Sequence, residues 1–189
     1  DPRIGNLFLN AGPGYGGSCL PKDVKAIINF STKMGINPTL LTAVEKTNKQ
    51  QIDNILRLAE QNIGKINGKK ITILGVAFKP ETDDIRDSVS IGLVKRLLKL
   101  GAKITIHDPK ALENARKIFH DNAKYVKSIP AALKDCQCAI IMTQWKDYET
   151  INNKTIKRMA KKFIIDSRRI LSNKNLNAKY YAIGLGQKV

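Results

Sequence analysis

The chain has few of the residues from which metal centres and disulfide frameworks are built, and it has no long apolar run. Its 189 residues include two histidines, three cysteines and one tryptophan. No apolar run approaches the roughly 20 residues that a helix needs to span a bilayer. Residues 1–5 lack the basic and then apolar order of a signal peptide. Three cysteines do not make a disulfide framework in a chain of this size, which indicates a reducing, cytoplasmic compartment.

The few potential metal ligands are poorly placed to act together. Cys136 and Cys138 form a C-x-C pair beside the apolar run Ala139–Met142. A metal site would need further ligands, and the sequence offers only His107 and His120. We therefore predict that the two cysteines lie at the edge of a buried strand and hold no metal.

Acidic residues are also scarce, and this gives the chain a strong positive charge. There are 16 Asp and Glu against 33 Lys and Arg, for a net charge of +17. Such a charge attracts polyanions and phosphate-bearing ligands. The basic residues are spread along the chain, and the aromatic residues do not alternate with them as base-stacking platforms would. We therefore favour a small ligand that contains a diphosphate over nucleic acid.

The spacing of apolar residues divides the chain into a helical first part and an α/β remainder. Helices are predicted from about Pro21 to Met34 and from Pro38 to about Ile63. The middle of the second helix, residues 45–51, is polar, so it is either a surface helix, a bridge between domains or a helix that packs against a second copy of itself. From Gly68 onwards, short apolar strands alternate with helices, which predicts a Rossmann-like, doubly wound parallel sheet. The predicted strands cover residues 70–75, 103–108, 125–126, 139–143, 163–166 and 180–183.

A glycine-rich loop before the first helix carries three reactive side chains within five positions. The segment Gly16–Asp23 reads GGSCLPKD. Cys19 lies just before the helix start, where unpaired backbone N–H groups favour a thiolate. Lys22 adds positive charge, and Asp23 is placed to hold a water or relay a proton. From the residues alone, the loop is either a site of covalent catalysis or the setting of a structural cysteine.

Residues Gly12–Gly17 formally match the dinucleotide-binding pattern G-x-G-x-x-G. That pattern binds NAD when it joins the first strand and helix of a βαβ unit. Here predicted helices follow the glycines, so we reject the match as an NAD site. The better Rossmann-type unit is Ile71–Asp108, in which Asp108 ends the second strand.

The first turn of that unit, Gly75–Ser88, contains two cations at the carboxyl end of a strand. Open sheets bind ligands at such ends, and Lys79 and Arg86 suit phosphates or a sugar. The alternative is a solvated loop in which the two cations pair with neighbouring aspartates. Asp166-Ser167-Arg168-Arg169 follows another strand end, so we expect Arg168 or Arg169 to reach the same crevice.

These motifs together resemble the UDP-glucose/GDP-mannose dehydrogenase family. Residues 14–23 resemble the family's active-site segment, and residues 75–80 with 82–88 resemble its second signature. Asp108-Pro109 and Asp166-Ser167-Arg168 fall where a third and a fourth are expected. The resemblance covers essentially the whole chain, with the motifs in order.

The resemblance implies a four-electron, NAD-dependent oxidation of UDP-glucose to UDP-glucuronate. Cys19 would attack the aldehyde intermediate to give a thiohemiacetal and then a thioester, and Asp23 would work with an ordered water. Lys22 and Arg86 match positions that contact NAD. Arg3 matches an arginine that reaches the neighbouring subunit's site. The implied substrate-binding residues are Arg3, Phe8, Leu9, Asn10, Gly16, Phe78, Lys79 and Arg168.

The same resemblance implies three segments and a dimer. They are a catalytic-cysteine loop (1–23), a central helical dimerisation segment (24–66) and a UDP-sugar-binding Rossmann-like domain (67–189). The expected partners are a UDP-sugar and a second copy held through the central helix, with no nucleic acid or membrane. The family's N-terminal NAD-binding domain has no counterpart here, so we expect a carboxy-terminal portion of the enzyme that does not complete turnover alone.

The substrate is less sharply defined by the sequence. Ser18 stands before the cysteine in place of a histidine, which resembles the UDP-glucose and GDP-mannose enzymes more than the UDP-N-acetyl-hexosamine branch. The alternatives to UDP-glucose are GDP-mannose or another nucleotide sugar. A non-catalytic nucleotide-sugar-binding module is the alternative from another class.

Overall fold

Two helices come first along the part of the chain that the structure describes. The structure is a computed structural model, and it describes residue 5 and residues 9–184. Helix α1 covers Leu20–Lys33 and helix α2 covers Thr39–Ile63. Both predicted helices are confirmed to within one residue at each end. Gly64 follows α2 with a φ of 77°, a conformation that glycine adopts at little cost, and it ends the helix.

The rest of the described chain builds one six-stranded sheet in which all neighbouring strands are parallel. Its order, β3-β2-β1-β4-β5-β6, is that of a doubly wound Rossmann-type sheet and confirms the predicted fold class. The order reverses between β1 and β4, and open sheets of this kind bind ligands at the carboxyl ends beside that point. The strands are β1 (Lys70–Leu74), β2 (Lys103–His107), β3 (Ala123–Tyr125), β4 (Cys138–Ile141), β5 (Phe163–Asp166) and β6 (Lys179–Ala182).

Within the described residues, four further α-helices connect the strands. They are α3 (Val89–Lys99), α4 (Leu112–Phe119), α5 (Ile129–Ala132) and α6 (Asn153–Ile156). Helix α6 is a single turn. The backbone beyond it pairs elsewhere: Arg158 O accepts from Asp135 N (2.9 Å), and Ala160 N donates to Cys136 O (2.9 Å).

The core lies on both faces of the central strands. Every residue of β4 and β5 is buried, which is why β4 and the first three residues of β5 are apolar. Cys136 and Cys138 are buried at the start of β4, as predicted, and burial raises the pKa of the Cys136 thiol to about 11. A buried thiol of this kind is unreactive.

Helix α1 and the first half of α2 contribute little to this core. Pro21 is the only buried residue of α1, whereas Phe30 is 67% exposed. On α2 the buried residues all lie in the second half, from Ile55 onwards, and Leu40 near its start is 77% exposed. Within the described residues, no helix combines the length and the hydropathy that a membrane crossing requires.

Candidate functional site

The glycine-rich loop before α1 packs against the loop that follows β1. Gly17 N donates a hydrogen bond to Arg86 O (3.1 Å). A Cβ on Gly16 would lie 2.4 Å from the carbonyl oxygen of Asp87, and a Cβ on Gly17 would lie 2.7 Å from the Phe78 ring. Gly17 also has a φ of 91°. Both glycines are therefore required for this close approach.

A cavity of about 670 Å³ opens between these loops at the carboxyl ends of the strands. It lies at the point where the strand order reverses: Phe78 follows β1, Gln144 follows β4 and Arg168 follows β5. Five of the eight predicted substrate-binding residues line it: Asn10, Gly16, Phe78, Lys79 and Arg168.

Buried polar contacts hold the loop after β1 in place. The Asp108 carboxylate is 2% exposed and accepts hydrogen bonds from Val76 N (2.7 Å) and Ala77 N (3.0 Å). Thr143 Oγ1 donates to Ala77 O (2.6 Å). Asp108, which ends the Rossmann-type unit found in the sequence, thus fixes the backbone that presents Phe78 and Lys79 to the cavity.

Arg168 is held in a similar way beside the cavity. Its backbone N donates to Asp166 Oδ1 (3.0 Å), and its side-chain Nε donates to Met142 O (3.0 Å). A Cβ on Gly12 would lie 2.6 Å from Arg168 Nη1, so the guanidinium passes close over the glycine loop. Burial lowers the pKa of Arg168 from its ordinary value, as expected where water is partly excluded from a cation.

The neighbouring arginine points elsewhere. Arg169 Nε donates to Ile183 O (2.9 Å), and Arg169 is not among the cavity-lining residues. Of the two arginines predicted to reach the ligand-binding crevice, Arg168 is the one that lines the cavity. With Lys79 it supplies two cations to one cavity, an arrangement that suits a diphosphate.

The predicted catalytic residues lie at the start of α1, next to this cavity. Cys19 is the exposed N-cap residue of the helix, and the following residue, Leu20, lines the cavity. Asp23 N donates to Cys19 O (2.9 Å), so the two residues are one helical turn apart on the same face. Lys22 Nζ lies 3.3 Å from Asp23 Oδ1, and both side chains are largely exposed.

Arg86, the other predicted cofactor-binding cation, forms an ion pair within its own loop. Its Nη2 donates to Asp84 Oδ2 (2.7 Å), and the hydrogen bonds from Arg86 lower the pKa of Asp84. The side chain of Arg86 is nevertheless 71% exposed and close enough to Cys19 to interact with it electrostatically. Lys22 and Arg86 thus place two exposed basic side chains on the Cys19 side of the cavity, each beside an aspartate.

Of the three remaining predicted substrate-binding residues, Leu9 is the one that the structure describes, and it does not lie at the cavity. Leu9 is 67% exposed. Arg3 and Phe8 lie outside the described residues.

Three further residues, which the sequence did not single out as ligand-binding, line the cavity. Gln144, Tyr15 and Val44 line it. Gln144 had a detectable signal, since it is a polar residue directly after a buried strand. No sequence signal indicated Val44. It reaches the cavity because α2 packs beside the glycine loop, and local spacing does not reveal that packing.

A doubly wound parallel sheet with a cationic cavity at its point of reversal places the chain in the class of Rossmann-like nucleotide-binding proteins. Residues 72–173 match the model of the UDP-glucose/GDP-mannose dehydrogenase family, UDP binding domain, and residues 1–50 match that family's central domain. The chain belongs to the UDP-glucose/GDP-mannose dehydrogenase family.

Named relatives agree with this assignment. A UDP-glucose 6-dehydrogenase of Rickettsia conorii is 42% identical over 97% of this chain and 44% of its own length. One of Haloferax volcanii is 40% identical over 92% of this chain and 40% of its own length. The structure of a UDP-glucose dehydrogenase from Pyrobaculum islandicum covers 96% of this chain with a TM-score of 0.86 and 34% identity, and 40% of that chain is matched. The chain thus spans less than half the length of these relatives.

Proposed function

We propose that the chain carries the nucleotide-sugar site and the nucleophile of an NAD-dependent UDP-glucose 6-dehydrogenase. The observation that carries this proposal is the position of the cavity. It contains Lys79 and Arg168, and it is lined by Gly16 and Leu20, the residues that flank the Cys19 turn. A site for an anionic nucleotide sugar therefore lies directly beside an exposed thiol.

The cations at the cavity account for substrate binding. Arg168 and Lys79 bind the diphosphate, and Phe78 offers an aromatic face to the ligand. Asn10 and the backbone at Gly16 contact the sugar and direct its C6 end towards Cys19.

Cys19 and Asp23 account for the second half of the oxidation. The Cys19 thiolate attacks the C6 aldehyde to form a thiohemiacetal, and a thioester of the sugar acid follows. Asp23, one turn along the same helix face, orients the water that hydrolyses the thioester and accepts its proton. The thiol leaves and is ready for the next substrate.

Lys22 and Arg86 hold the NAD diphosphate on the cysteine side of the cavity. When bound, NAD supplies the oxidising power for both steps, from alcohol to aldehyde and from thiohemiacetal to thioester. Two exposed cations alone do not make a dinucleotide site. We therefore propose that most NAD contacts come from a domain outside these 189 residues.

The 189-residue chain by itself is expected to bind the nucleotide without turning over. Calorimetric titration should show UDP binding at least about 10-fold more tightly than GDP. Addition of UDP-glucose and NAD should give no NADH, because the residues that hold the dinucleotide here are too few. Tighter binding of GDP would contradict the choice of uridine, and NADH production would contradict the need for a further domain.

We also propose that the protein forms a homodimer through the central helix. Leu40 is exposed near the start of α2, and α1 beside it exposes Ile27, Phe30 and Met34, which share one face of the helix because they are spaced by three and four residues. Large apolar side chains grouped on one surface are typical of an interaction site. A second copy of α2 supplies an apolar face of the same kind.

Replacing Leu40 with glutamate should convert the dimer into a monomer, because the substitution buries a charge in the contact. Light scattering during size-exclusion chromatography measures the mass directly. The matched control is Lys99→Glu on α3, an exposed residue away from α1 and α2, which should leave the dimer intact. A Leu40→Glu protein that remains dimeric would contradict the proposed interface.

A further inference from the structure

One polar residue of α2 makes a paired contact with the glycine-rich loop. Asn48 Oδ1 accepts a hydrogen bond from Tyr15 N (2.8 Å), and Asn48 Nδ2 donates to Tyr15 O (3.0 Å). The side-chain amide thus pairs with both backbone groups of a single residue. Among the described residues, it is the only side chain that hydrogen-bonds to the backbone of residues 9–17.

The shape of the loop is adapted to this contact. Gly14 has a φ of 115°, and a Cβ there would lie 2.4 Å from Asn48 Oδ1. A side chain at position 14 would therefore displace the amide of Asn48 from Tyr15. Glycine at this position serves both the backbone conformation and the approach of the α2 side chain.

The segment that Asn48 holds forms one wall of the cavity. Gly14, Tyr15 and Gly16 all line it, and Asn48 stands behind them on α2. The opposite side of the loop is fixed by Gly17 N, which donates to Arg86 O. The wall is therefore held between α2 and the loop after β1.

We infer that Asn48 is a positioning residue for nucleotide-sugar binding, which acts by fixing the backbone of Gly14–Gly16. The inference rests on the proposed function, because it assigns the cavity to the nucleotide sugar. It also explains one residue in the polar middle of α2: the Asn48 amide holds the backbone that forms one wall of the cavity.

Another asparagine on the same helix provides the control. Asn62 is also half-buried, but its Nδ2 donates to Leu58 O (2.8 Å), within α2 itself. Replacement of Asn62 with alanine removes a hydrogen bond of similar length and leaves the loop untouched.

In the complete polypeptide, Asn48→Ala should raise the KM for UDP-glucose about 10-fold and leave kcat within about 3-fold, since the loss of one paired contact affects binding of the substrate. Titration of the 189-residue chain should show a similar weakening of UDP-glucose binding. The melting temperature should fall no further than that of Asn62→Ala, which should bind like the wild type.

A second substitution tests the direction of each hydrogen bond. Asn48→Asp keeps the acceptor for Tyr15 N but faces Tyr15 O with a carboxylate oxygen, which repels it. Its binding of UDP-glucose, measured relative to wild type at each pH, should recover as the pH falls and the carboxyl is protonated. Asn48 also lines a second cavity, and the charged residues there are the ones that can influence the titration of an aspartate at position 48. They are Lys25, Glu45, Lys49, Arg86, Asp87 and Lys95.

The outcomes separate the inference from the proposed function. The inference would be overturned if Asn48→Ala bound UDP-glucose with wild-type affinity. It would also be overturned if Asn48→Ala lost affinity but melted well below Asn62→Ala, because the loss would then reflect general destabilisation. A wild-type chain that binds no nucleotide sugar would overturn the proposed function, and the inference with it.

Discussion

We expect the complete polypeptide with Cys19→Ala to lose NAD-dependent oxidation of UDP-glucose to UDP-glucuronate by at least about 10³-fold in kcat. The sugar carbon cannot form a thioester when the thiol is absent, so oxidation stops before the acid. Binding of UDP-glucose should be close to that of the wild type, because the cations of the cavity are unchanged. Chromatographic measurement of UDP-glucuronate gives the first effect, because NADH also comes from the alcohol-to-aldehyde step, and calorimetry gives the second.

The chain offers a matched control for this substitution. Cys136 is a second thiol, 3% exposed at the start of β4 and away from the cavity. Cys136→Ala should retain the activity of the wild type even if it loses some thermal stability. If Cys19→Ala oxidised UDP-glucose to the acid within about 10-fold of the wild-type rate, the covalent mechanism would be wrong, and the loop would be structural.

The second large effect is expected at Arg168. Arg168→Ala should weaken the binding of UDP by roughly 100-fold, since it removes charge-assisted hydrogen bonds from a partly desolvated cavity. Arg168 Nε already donates to Met142 O, so we expect the ligand to accept hydrogen bonds from the outer nitrogens of the guanidinium. Arg168→Lys should recover little of the loss, because a lysine lacks the planar pair of donors.

Arg169 is the control for this experiment. It is the adjacent residue with the same charge, and its side chain donates to Ile183 O outside the cavity. Arg169→Ala should bind UDP like the wild type, so that a general effect of charge is separated from a local one. Equal affinities of the Arg168→Ala and Arg169→Ala proteins for UDP would show that the cavity is not the diphosphate site.

The fold follows closely from local sequence patterns because most of its elements are bounded by strong local signals. Glycines end α2 and follow α3, and the central strand β4 is apolar throughout because it is covered on both faces. The connection after Asn153 was less predictable. Its backbone bonds to Asp135 and Cys136, which lie some 20 residues earlier in the sequence, and no local pattern records such a contact.

The candidate site likewise contains residues that local sequence motifs reveal and residues that only long-range contacts reveal. Lys79 was found because it stands in the turn at the carboxyl end of a buried strand, and Phe78 because it lies in a motif that resembles one of the family's. Asn48 was missed because its role depends on α2 packing beside the glycine loop, a contact across 33 positions of sequence. The polar middle of α2 was visible in the sequence, but nothing in its spacing indicated what it contacts.

The most direct test of this account is mass spectrometry of the complete polypeptide, quenched with acid during turnover of UDP-glucose with NAD. The account predicts a covalent adduct on the peptide that contains Cys19, with the mass of the UDP-sugar acid joined as a thioester and released by hydroxylamine. The adduct should be absent from Cys19→Ala. Steady formation of UDP-glucuronate with no adduct on Cys19, and with the alanine variant equally active, would contradict the central claim that Cys19 is the nucleophile.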